Sequence, residues 1–211
     1  MTTKIESYIE ENIGAVSYVY HEIVSDNVHI DIHVVDPTEK RNSYTLITSG
    51  MSDYPMPAPS GKEDYRYTEL TLSLPATWPL SGNELKDDAN YWPVKWLKTI
   101  ARLPHNQNAW ISLGHTVPNG NPPVPFSSAT ELCCWIVSVP LLFGRQFGQL
   151  KVDEEKTINF FSLVAIYQEE MAFKLRKGAQ PLIELLLRNG TNETVNLNRK
   201  NVCKKRFGLF R

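Results

Sequence analysis

Two places in this 211-residue chain hold histidines whose spacing could support chemistry. In the first, His29, Asp31 and His33 alternate with apolar residues, so on a strand they share one face with neighbours about 7 Å apart. Two imidazoles at that spacing could bracket a metal ion, and the aspartate could orient one of them. The sequence offers no third strong ligand nearby. We therefore predict no metal and no other cofactor, and the alternative interpretation is the solvent-facing side of a sheet.

The second place is the segment SLGHTVP, in which His115 could act as a general base, a metal ligand or a partner contact. Nucleophilic catalysis would need an activated serine or cysteine, and the chain has no G-x-S-x-G motif. It also lacks the H-E-x-x-H motif, a Walker loop and a dinucleotide fingerprint. We therefore predict that the chain is not an enzyme, and a hydrolase that uses His115 is the third alternative for its function.

The segment from Tyr91 to Ser128 contains the elements that must position His115. Pro93 suits the first turn of a helix, and the apolar residues after it recur at three- and four-residue spacing. This pattern predicts an amphipathic helix that Pro104 ends, followed by a short strand over 109–113. Residues 114–128 contain four prolines and two glycines, which predicts a long irregular loop of the kind that often carries function.

The rest of the chain shows strand and helix patterns on both sides of this segment. They predict strands over 17–24, 28–35, 43–48, 66–74, 131–140 and 157–167, and helices over 5–13, 168–177 and 181–190. Short connections favour an antiparallel meander of the first three strands. The apolar run 131–140 is typical of a strand buried on both faces. These patterns predict an α/β (α+β) fold, with a mixed, largely antiparallel central sheet and helices packed against it.

Composition limits the class of protein further. A hydrophobic content of 42% and a net charge of −1 are ordinary for a soluble domain and give no general attraction to nucleic acid or to an anionic membrane. We predict one domain over residues 1–190 and a basic, loosely ordered C-terminal tail over 191–211. Because no apolar run suits a membrane span and the first residues lack the core of a signal peptide, we expect a cytoplasmic protein.

A second irregular segment, Gly50 to Asp64, carries apolar side chains among its prolines. Met51, Tyr54 and Met56 could form a binding lip, because methionine adapts to different partners. The alternative is a loop whose aromatic side chain packs back into the core. A single binding groove requires this loop and the loop over 114–128 to lie side by side, which the sequence does not decide.

Several motifs, taken in their order, resemble one family. They are YTELTLSLPATWP, WPVKWL, the aliphatic run Ile100 to Leu103, NAW-SLGHTVP with a later PF, FFSLVAIYQEE and LIELL. In this order and spacing the chain resembles the Suppressor of fused domain family from about Ile30 to Leu187. The chain is too short for the additional C-terminal domain of the animal protein, so it is similar to a bacterial single-domain member.

The resemblance implies a function in protein binding. In the animal relative, the loop around the position of His115 and the adjacent strands help to grip a peptide of a transcription factor, which implies a contact role for His115. Bacterial single-domain relatives are associated with polymorphic toxin systems as immunity proteins. The resemblance thus implies an antitoxin that neutralises a cognate toxin, such as a nuclease, without direct contact to nucleic acid or membrane. The alternative is a regulatory peptide-binding module that acts on a cytoplasmic or transcriptional partner.

Residues of two kinds are candidates for contacts with that protein partner. Aromatic side chains would anchor the complex, and acidic side chains would complement a basic surface. The aromatic candidates, with the histidine, are Tyr54, Tyr65, Tyr91, Trp92 and His115, and the acidic candidates are Asp31, Asp53, Glu63 and Asp64.

Overall fold

The strands of this protein divide their buried side chains between the two faces of one sheet. The computed structural model describes residues 2–22 and 27–204. In these ranges the strands are β1 (Val16–Tyr20), β2 (Asp31–Val35), β3 (Ser43–Ser49), β4 (Thr68–Pro75), β5 (Thr116–Pro118), β6 (Cys134–Ser138), β7 (Gln149–Lys151) and β8 (Thr157–Ile166). The α-helices are α1 (Thr2–Asn12), α2 (Asp88–Gln107), α3 (Gln168–Lys177) and α4 (Ala179–Arg188).

The strand order is β1-β2-β3-β4-β8-β6-β5, and β7 also pairs with β8. β1, β2 and β3 form the predicted antiparallel meander. Only the pairing of β4 with β8 is parallel among the described strands. The predicted fold class, a mixed and largely antiparallel sheet with helices against it, is confirmed.

Alternating residues of the strands supply three hydrophobic clusters, one on the first face of the sheet and two on the other. On one face, Leu46 and Leu72 pack with Leu97 of α2. On the other face, Ile47 packs with Ile9 of α1, while the end of the sheet near β6 packs against α4. Among the described residues, none of the helices combines the length and apolar character needed to cross a lipid bilayer.

The aromatic helix α2 is longer than the sequence predicted. Asp87 caps its start by accepting a hydrogen bond from the Ala89 N–H at 2.9 Å. The helix continues past Pro104 and ends at Asn108, which adopts the left-handed conformation with φ 47°. The prediction that Pro104 ends the helix is therefore wrong. The proline removes one N–H donor, and because it lies in the last turn, little helix remains to be disturbed.

The short strand predicted over 109–113 is also wrong, since these residues form no strand. The strand lies instead at Thr116–Pro118, inside the segment that was predicted to be wholly irregular, and it pairs with β6. Pro118 is tolerated there because β5 is an edge strand, whose outward N–H groups need no partner in the sheet.

The C-terminal segment is packed as far as the structure describes it. Val195 is buried, and its N–H donates to the Ser73 carbonyl of β4 at 2.9 Å. Glu193 is also buried, and Arg199 forms an ion pair with the buried Glu170. Residues 191–204 are therefore not the loosely ordered tail that was predicted. Residues 205–211 of that tail, and residues 23–24 of the first predicted strand, lie outside the described residues.

The pairings place the two long loops at opposite ends of the sheet. We call the end at which β4 begins the front end and the end at which β4 finishes the back end. The loop over 50–64 enters β4 and therefore lies at the front end. Pro118 pairs with Cys134, and Cys134 pairs with Ile166 at the close of β8, so the chain after β5 emerges at the back end. The part of the second loop that follows β5, residues 119–128, therefore does not share a groove with the loop over 50–64.

Candidate partner-binding surface

A buried glutamate organises the front end. Glu69 of β4 is fully buried and accepts four hydrogen bonds: from the Gly50 N–H at 3.0 Å, the Ser52 N–H at 2.9 Å, the Ser52 hydroxyl at 2.7 Å and the Thr48 hydroxyl at 2.6 Å. Burial raises the pKa of Glu69, and these donors oppose the shift. The carboxylate fixes the turn that follows β3, which makes Glu69 a positioning residue that sequence reasoning missed. The polar-apolar alternation of β4 suggested only that it faced away from Leu70.

Gly50 makes this turn possible. Its φ is +112°, and a Cβ at this position would lie 1.8 Å from the His29 carbonyl oxygen. The next residues, Met51–Asp53, form a 3₁₀ turn. Because the buried Glu69 holds this turn, Asp53 and Tyr54 are exposed on its outer side.

The Gly50–Asp64 loop combines core and surface residues. Met51 and Met56 are buried, so the predicted lip with adaptable methionines is wrong. Tyr54 is 59% exposed, and its ring meets His105 edge-on with 6.3 Å between ring centroids. His105 is itself held by α2 and donates from Nε2 to the Met51 carbonyl at 2.8 Å. Tyr54 is therefore an exposed aromatic side chain on a rigid turn.

An acidic groove lies beside this turn, with a volume of about 370 Å³. Its lining consists of Glu63, Asp64, Arg66, Tyr67, Gln149, Glu154, Glu155 and Thr157. Four carboxylates and one guanidinium thus line the groove, and one of the carboxylates, Glu154, is paired with Lys151 at 3.0 Å. The carboxylates come from two elements, the 3₁₀ turn Glu63–Tyr65 and the turn between β7 and β8. The pairing of β7 with β8 brings the second turn to the front end.

Five of the predicted contact residues belong to this front-end surface. Asp53, Tyr54, Glu63 and Asp64 are exposed, and Tyr65 is half-buried with its ring 6.1 Å from that of Phe161. Glu63 accepts a hydrogen bond from the Gly61 N–H at 3.0 Å. The structure therefore gathers the acidic loop residues, while sequence reasoning missed Glu154 and Glu155. The run DEEK between two strands was the available signal, and its position depends on a pairing that the local pattern does not show.

Asp31 begins β2 opposite Ser49, outside the lining of the acidic groove, and is nearly buried. Its carboxylate joins His21 Nδ1 at 3.0 Å, His29 Nε2 at 2.9 Å and the Glu22 N–H at 3.0 Å. Burial opposes its ionisation, but these partners outweigh burial and lower the pKa of Asp31. The carboxylate oxygens of Asp31 serve local hydrogen bonds, and its contact with a partner stays a prediction.

The spacing of His29, Asp31 and His33 does not produce a metal site. His33 is completely buried, and its Nε2 pairs with the Ser49 hydroxyl at 2.9 Å. Within residues 2–22 and 27–204, no group of three or more His, Cys, Asp or Glu side chains is arranged to hold a metal ion. The alternative interpretation, a solvent-facing strand, is also wrong for Asp31 and His33, because this face packs beneath α1.

Trp92 belongs to the core and not to a binding surface. It is 4% exposed and stacks on Phe126 with ring centroids 4.9 Å apart and an interplanar angle of 7°. Trp78 and Trp135 pack against it as well. Tyr91, one residue earlier on α2, is half-buried against the same core. The aromatic spacing on α2 therefore reflects packing, and the prediction of a partner contact through Trp92 is wrong.

His115 lies just before β5, away from the acidic groove. Its N–H donates to the Ser112 carbonyl at 3.1 Å, and its carbonyl accepts from the Val137 N–H at 2.9 Å. The ring meets Trp110 edge-on at 4.9 Å. Burial lowers the pKa of His115, Lys174 adds to this effect, and a hydrogen bond with the Trp110 backbone opposes it. The histidine thus lies beside an edge strand in a fixed orientation.

Comparisons with known proteins show which family this chain matches and which solved structures share its fold. The model of the family described as Suppressor of fused protein (SUFU) matches residues 26–200. No curated protein sequence matches the chain.

Three solved structures are similar in fold. The crystal structure of a SUFU homolog from Neisseria gonorrhoeae FA 1090 has a TM-score of 0.67 at 13% identity, covering 97% of this chain and 96% of that one. The crystal structure of the Sufu–Fu complex gives 0.65 at 17% identity, covering 95% and 91%. Drosophila Suppressor of Fused gives 0.55 at 18% identity, covering 82% of this chain and 42% of that one. Because the family model spans most of the sequence, this chain belongs to the Suppressor of fused protein family.

Proposed function

We propose that this chain is a non-enzymatic protein-binding domain that neutralises a cognate toxin, a nuclease, in the bacterial cytoplasm. The observation that carries the proposal is the acidic groove with its four carboxylates at the front end. A nuclease binds phosphates through lysine and arginine side chains. An acidic protein surface complements such a site and would exclude the nucleic acid from it.

The architecture supports a binding role in two further ways. The family's architecture is consistent with a non-enzymatic protein-binding module, and a solved relative is described as a complex of Sufu with Fu. The turn beside the groove is fixed by Glu69, so little conformational freedom would be lost on binding. Asp53 adds charge for a fast encounter, and Tyr54 and Tyr65 supply aromatic anchors.

The test begins with capture by the immobilised chain from a lysate of its native cells at high salt. A retained protein is then purified and assayed for nuclease activity with increasing amounts of the chain. We expect a nuclease whose activity falls to zero at one chain per enzyme. Retention of a protein without nuclease activity would contradict the toxin assignment.

A pair of charge-reversal variants assigns the inhibition to the groove. Asp64→Lys with Glu155→Lys reverses two groove charges, and Glu10→Lys with Glu184→Lys reverses two exposed charges on α1 and α4. We expect the groove variant to lose inhibition at least about 100-fold, because like charges at a close contact oppose binding. Equal inhibition by both variants would exclude the groove as the contact surface.

The second candidate function is regulatory peptide binding at the outer edge of β5. β5 ends the strand order, so its outward N–H and C=O groups are available to an added strand next to His115. Such a module would bind an isolated extended peptide, whereas an antitoxin needs the folded toxin domain. The third alternative, a hydrolase, requires turnover of a substrate by the chain alone and loss of that turnover in His115→Ala.

A further inference from the structure

A notch interrupts one edge of β8 towards the front end. β7 pairs with residues 157–159 of this strand, and β6 pairs with residues 162–166. Phe160 and Phe161 lie between the two partners. The chain leaves β6 at Ser138 and returns at Gln149, and the intervening residues form the rim of a cavity of about 630 Å³.

The backbone of Phe160 is directed towards this notch, although the residue itself is buried and only 1% exposed. The Asn159 N–H donates to the Tyr67 carbonyl at 2.9 Å, on the side of β4. Because successive residues of a strand direct their N–H and C=O groups to opposite edges, Phe160 directs its own to the side of β6 and β7. The register of the described strands pairs it with neither. If the register of β6 continued, Pro140 would lie opposite Phe160, and a proline has no N–H to donate.

The walls of the notch carry exposed apolar side chains. Leu113 is 41% exposed and Val139 is 47% exposed, and both line the cavity together with Tyr65 and Phe161. Val139 belongs to a segment that the buried Glu193 holds in place, since its Oε1 accepts from the N–H groups of Leu141 at 2.7 Å and Leu142 at 2.8 Å. The apolar walls are thus displayed by an anchored segment.

The notch and the acidic groove are adjacent. Gln149 lines both, and Tyr65 of the notch follows Asp64 of the groove. Asn159 connects the two regions, because its Nδ2 donates to the Asp64 carbonyl at 2.7 Å and its Oδ1 accepts from Gln149 Nε2 at 2.9 Å. A ligand that extends from one to the other meets an apolar cavity and then carboxylates.

We propose that the notch and the groove form one docking surface for an extended, basic segment of a partner protein, whose single large apolar side chain enters the notch. The charge of the groove selects lysine and arginine on the segment beside that side chain. This inference rests on the proposed protein-binding function and adds the chemistry of the bound segment.

The test uses the full chain and three capped heptapeptides, with binding measured by fluorescence anisotropy at low salt. The first, KRGFGRK, has a phenylalanine between basic pairs. KRGAGRK removes the aromatic ring, and EEGFGEE reverses the charge. We expect KRGFGRK to bind at least about tenfold more tightly than KRGAGRK, since burial of a large apolar side chain contributes about that factor or more. EEGFGEE should not bind.

Matched variants locate the binding. Val139→Ser should weaken KRGFGRK at least about threefold, while Val124→Ser, at a valine 52% exposed in the back-end loop, should not change it. Both sites are exposed, so thermal unfolding should show that both variants fold. Equal affinity of the two variants, equal affinity of KRGFGRK and KRGAGRK, or no saturable binding of KRGFGRK at about millimolar concentration would overturn the proposal.

The nuclease assay separates this inference from the proposed function. If peptide binding depends on Val139 but no nuclease is captured, the docking surface stands and the toxin assignment fails. If a nuclease is inhibited through the groove and Val139→Ser leaves peptide binding unchanged, the toxin assignment stands and the notch is excluded.

Discussion

The front and back ends of the sheet each depend on a buried glutamate, but the two carboxylates are satisfied by different partners. At the front end, Glu69 accepts hydrogen bonds from backbone and hydroxyl groups of residues 48–52. At the back end, Glu170 forms an ion pair with Arg199 and also accepts from the N–H groups of Tyr167 and Val202. One carboxylate shapes a local turn, and the other attaches a distant segment.

This difference indicates where surface charge remains for a partner. The basic Arg199 of the C-terminal segment is used in folding, and its side chain is 8% exposed. The acidic residues Asp53, Asp64 and Glu155 of the front end remain exposed around a turn that is held by the donors to Glu69 and by Lys156, which donates to the Ser52 carbonyl. A binding surface is therefore expected at the front end, where these acidic side chains remain exposed.

The largest effect is expected from breaking the back-end ion pair. Arg199→Ala should lower the free energy of unfolding by about 3–5 kcal/mol, because it leaves the Glu170 carboxylate buried without its counter-charge. Urea denaturation followed by tryptophan fluorescence measures this change. The double variant Glu170→Gln with Arg199→Met removes both charges and should recover much of the loss. A loss below about 1 kcal/mol in Arg199→Ala would mean that the segment is not held by this pair.

At the front end, the largest loss of stability is expected from a change in the backbone of the turn. Gly50→Ala should destabilise the fold by at least about 2 kcal/mol, because the added Cβ meets the His29 carbonyl and the φ of +112° disfavours any side chain. Gly61→Ala in the same loop is the control, since φ there is +79° but nothing lies within 4 Å of a Cβ. It should lose about 1 kcal/mol. Equal losses in the two variants would remove the special role of the turn above Glu69.

Glu193 sharpens the comparison, since it is a buried carboxylate of the C-terminal segment with backbone donors and, among the described residues, no ion-pair partner. Burial raises the pKa of Glu193, and the Leu141 and Leu142 N–H groups oppose the shift. Between the unfolded pKa of about 4.3 and the higher folded pKa, the folded chain binds the extra proton, so stability falls as pH rises through this window.

Glu193→Gln should remove that part of the pH dependence, which amounts to about 1.4 kcal/mol for each unit of pKa shift. Denaturation curves at pH 4.5 and pH 7 measure it. Glu69 acts in the same direction, since burial raises its pKa too, and it remains in the variant. An unchanged difference between the two pH values would show that the Glu193 proton does not contribute.

The sequence was sufficient where burial follows local periodicity. The alternation of Val28–Val35 and the apolar spacing on α2 predicted a strand and a helix, because each pattern reports which face of one element is buried. The antiparallel meander followed from short connections. The parallel pairing of β4 with β8 joins residues about ninety positions apart, and no local pattern encodes it.

The candidate site was only partly predictable for the same reason. Glu69 and Glu155 are both glutamates, one in a strand and one in a turn, yet one is buried and the other exposed. Their difference depends on a turn that folds over β4 and on where β7 joins the sheet. Likewise, the basic residues of the C-terminal segment suggested a loose tail. The local sequence did not show that Arg199 is paired, because its partner Glu170 lies 29 positions earlier in the chain.

The smallest effect is expected from the exposed charges of the groove. Asp64→Asn with Glu155→Gln removes two like charges from a surface with four carboxylates, so unfolding free energy should rise by a few tenths of a kcal/mol at low salt. The difference should vanish at about 1 M salt, where charges are screened within about 3 Å. Glu184→Gln on α4 is the control, because Glu184 lies near Arg188 and its removal should not stabilise the fold. Urea denaturation at both salt concentrations measures the changes. A clear loss of stability in the groove variant would mean that these carboxylates stabilise the fold, as Glu170 does. They would then not be free to contact a partner.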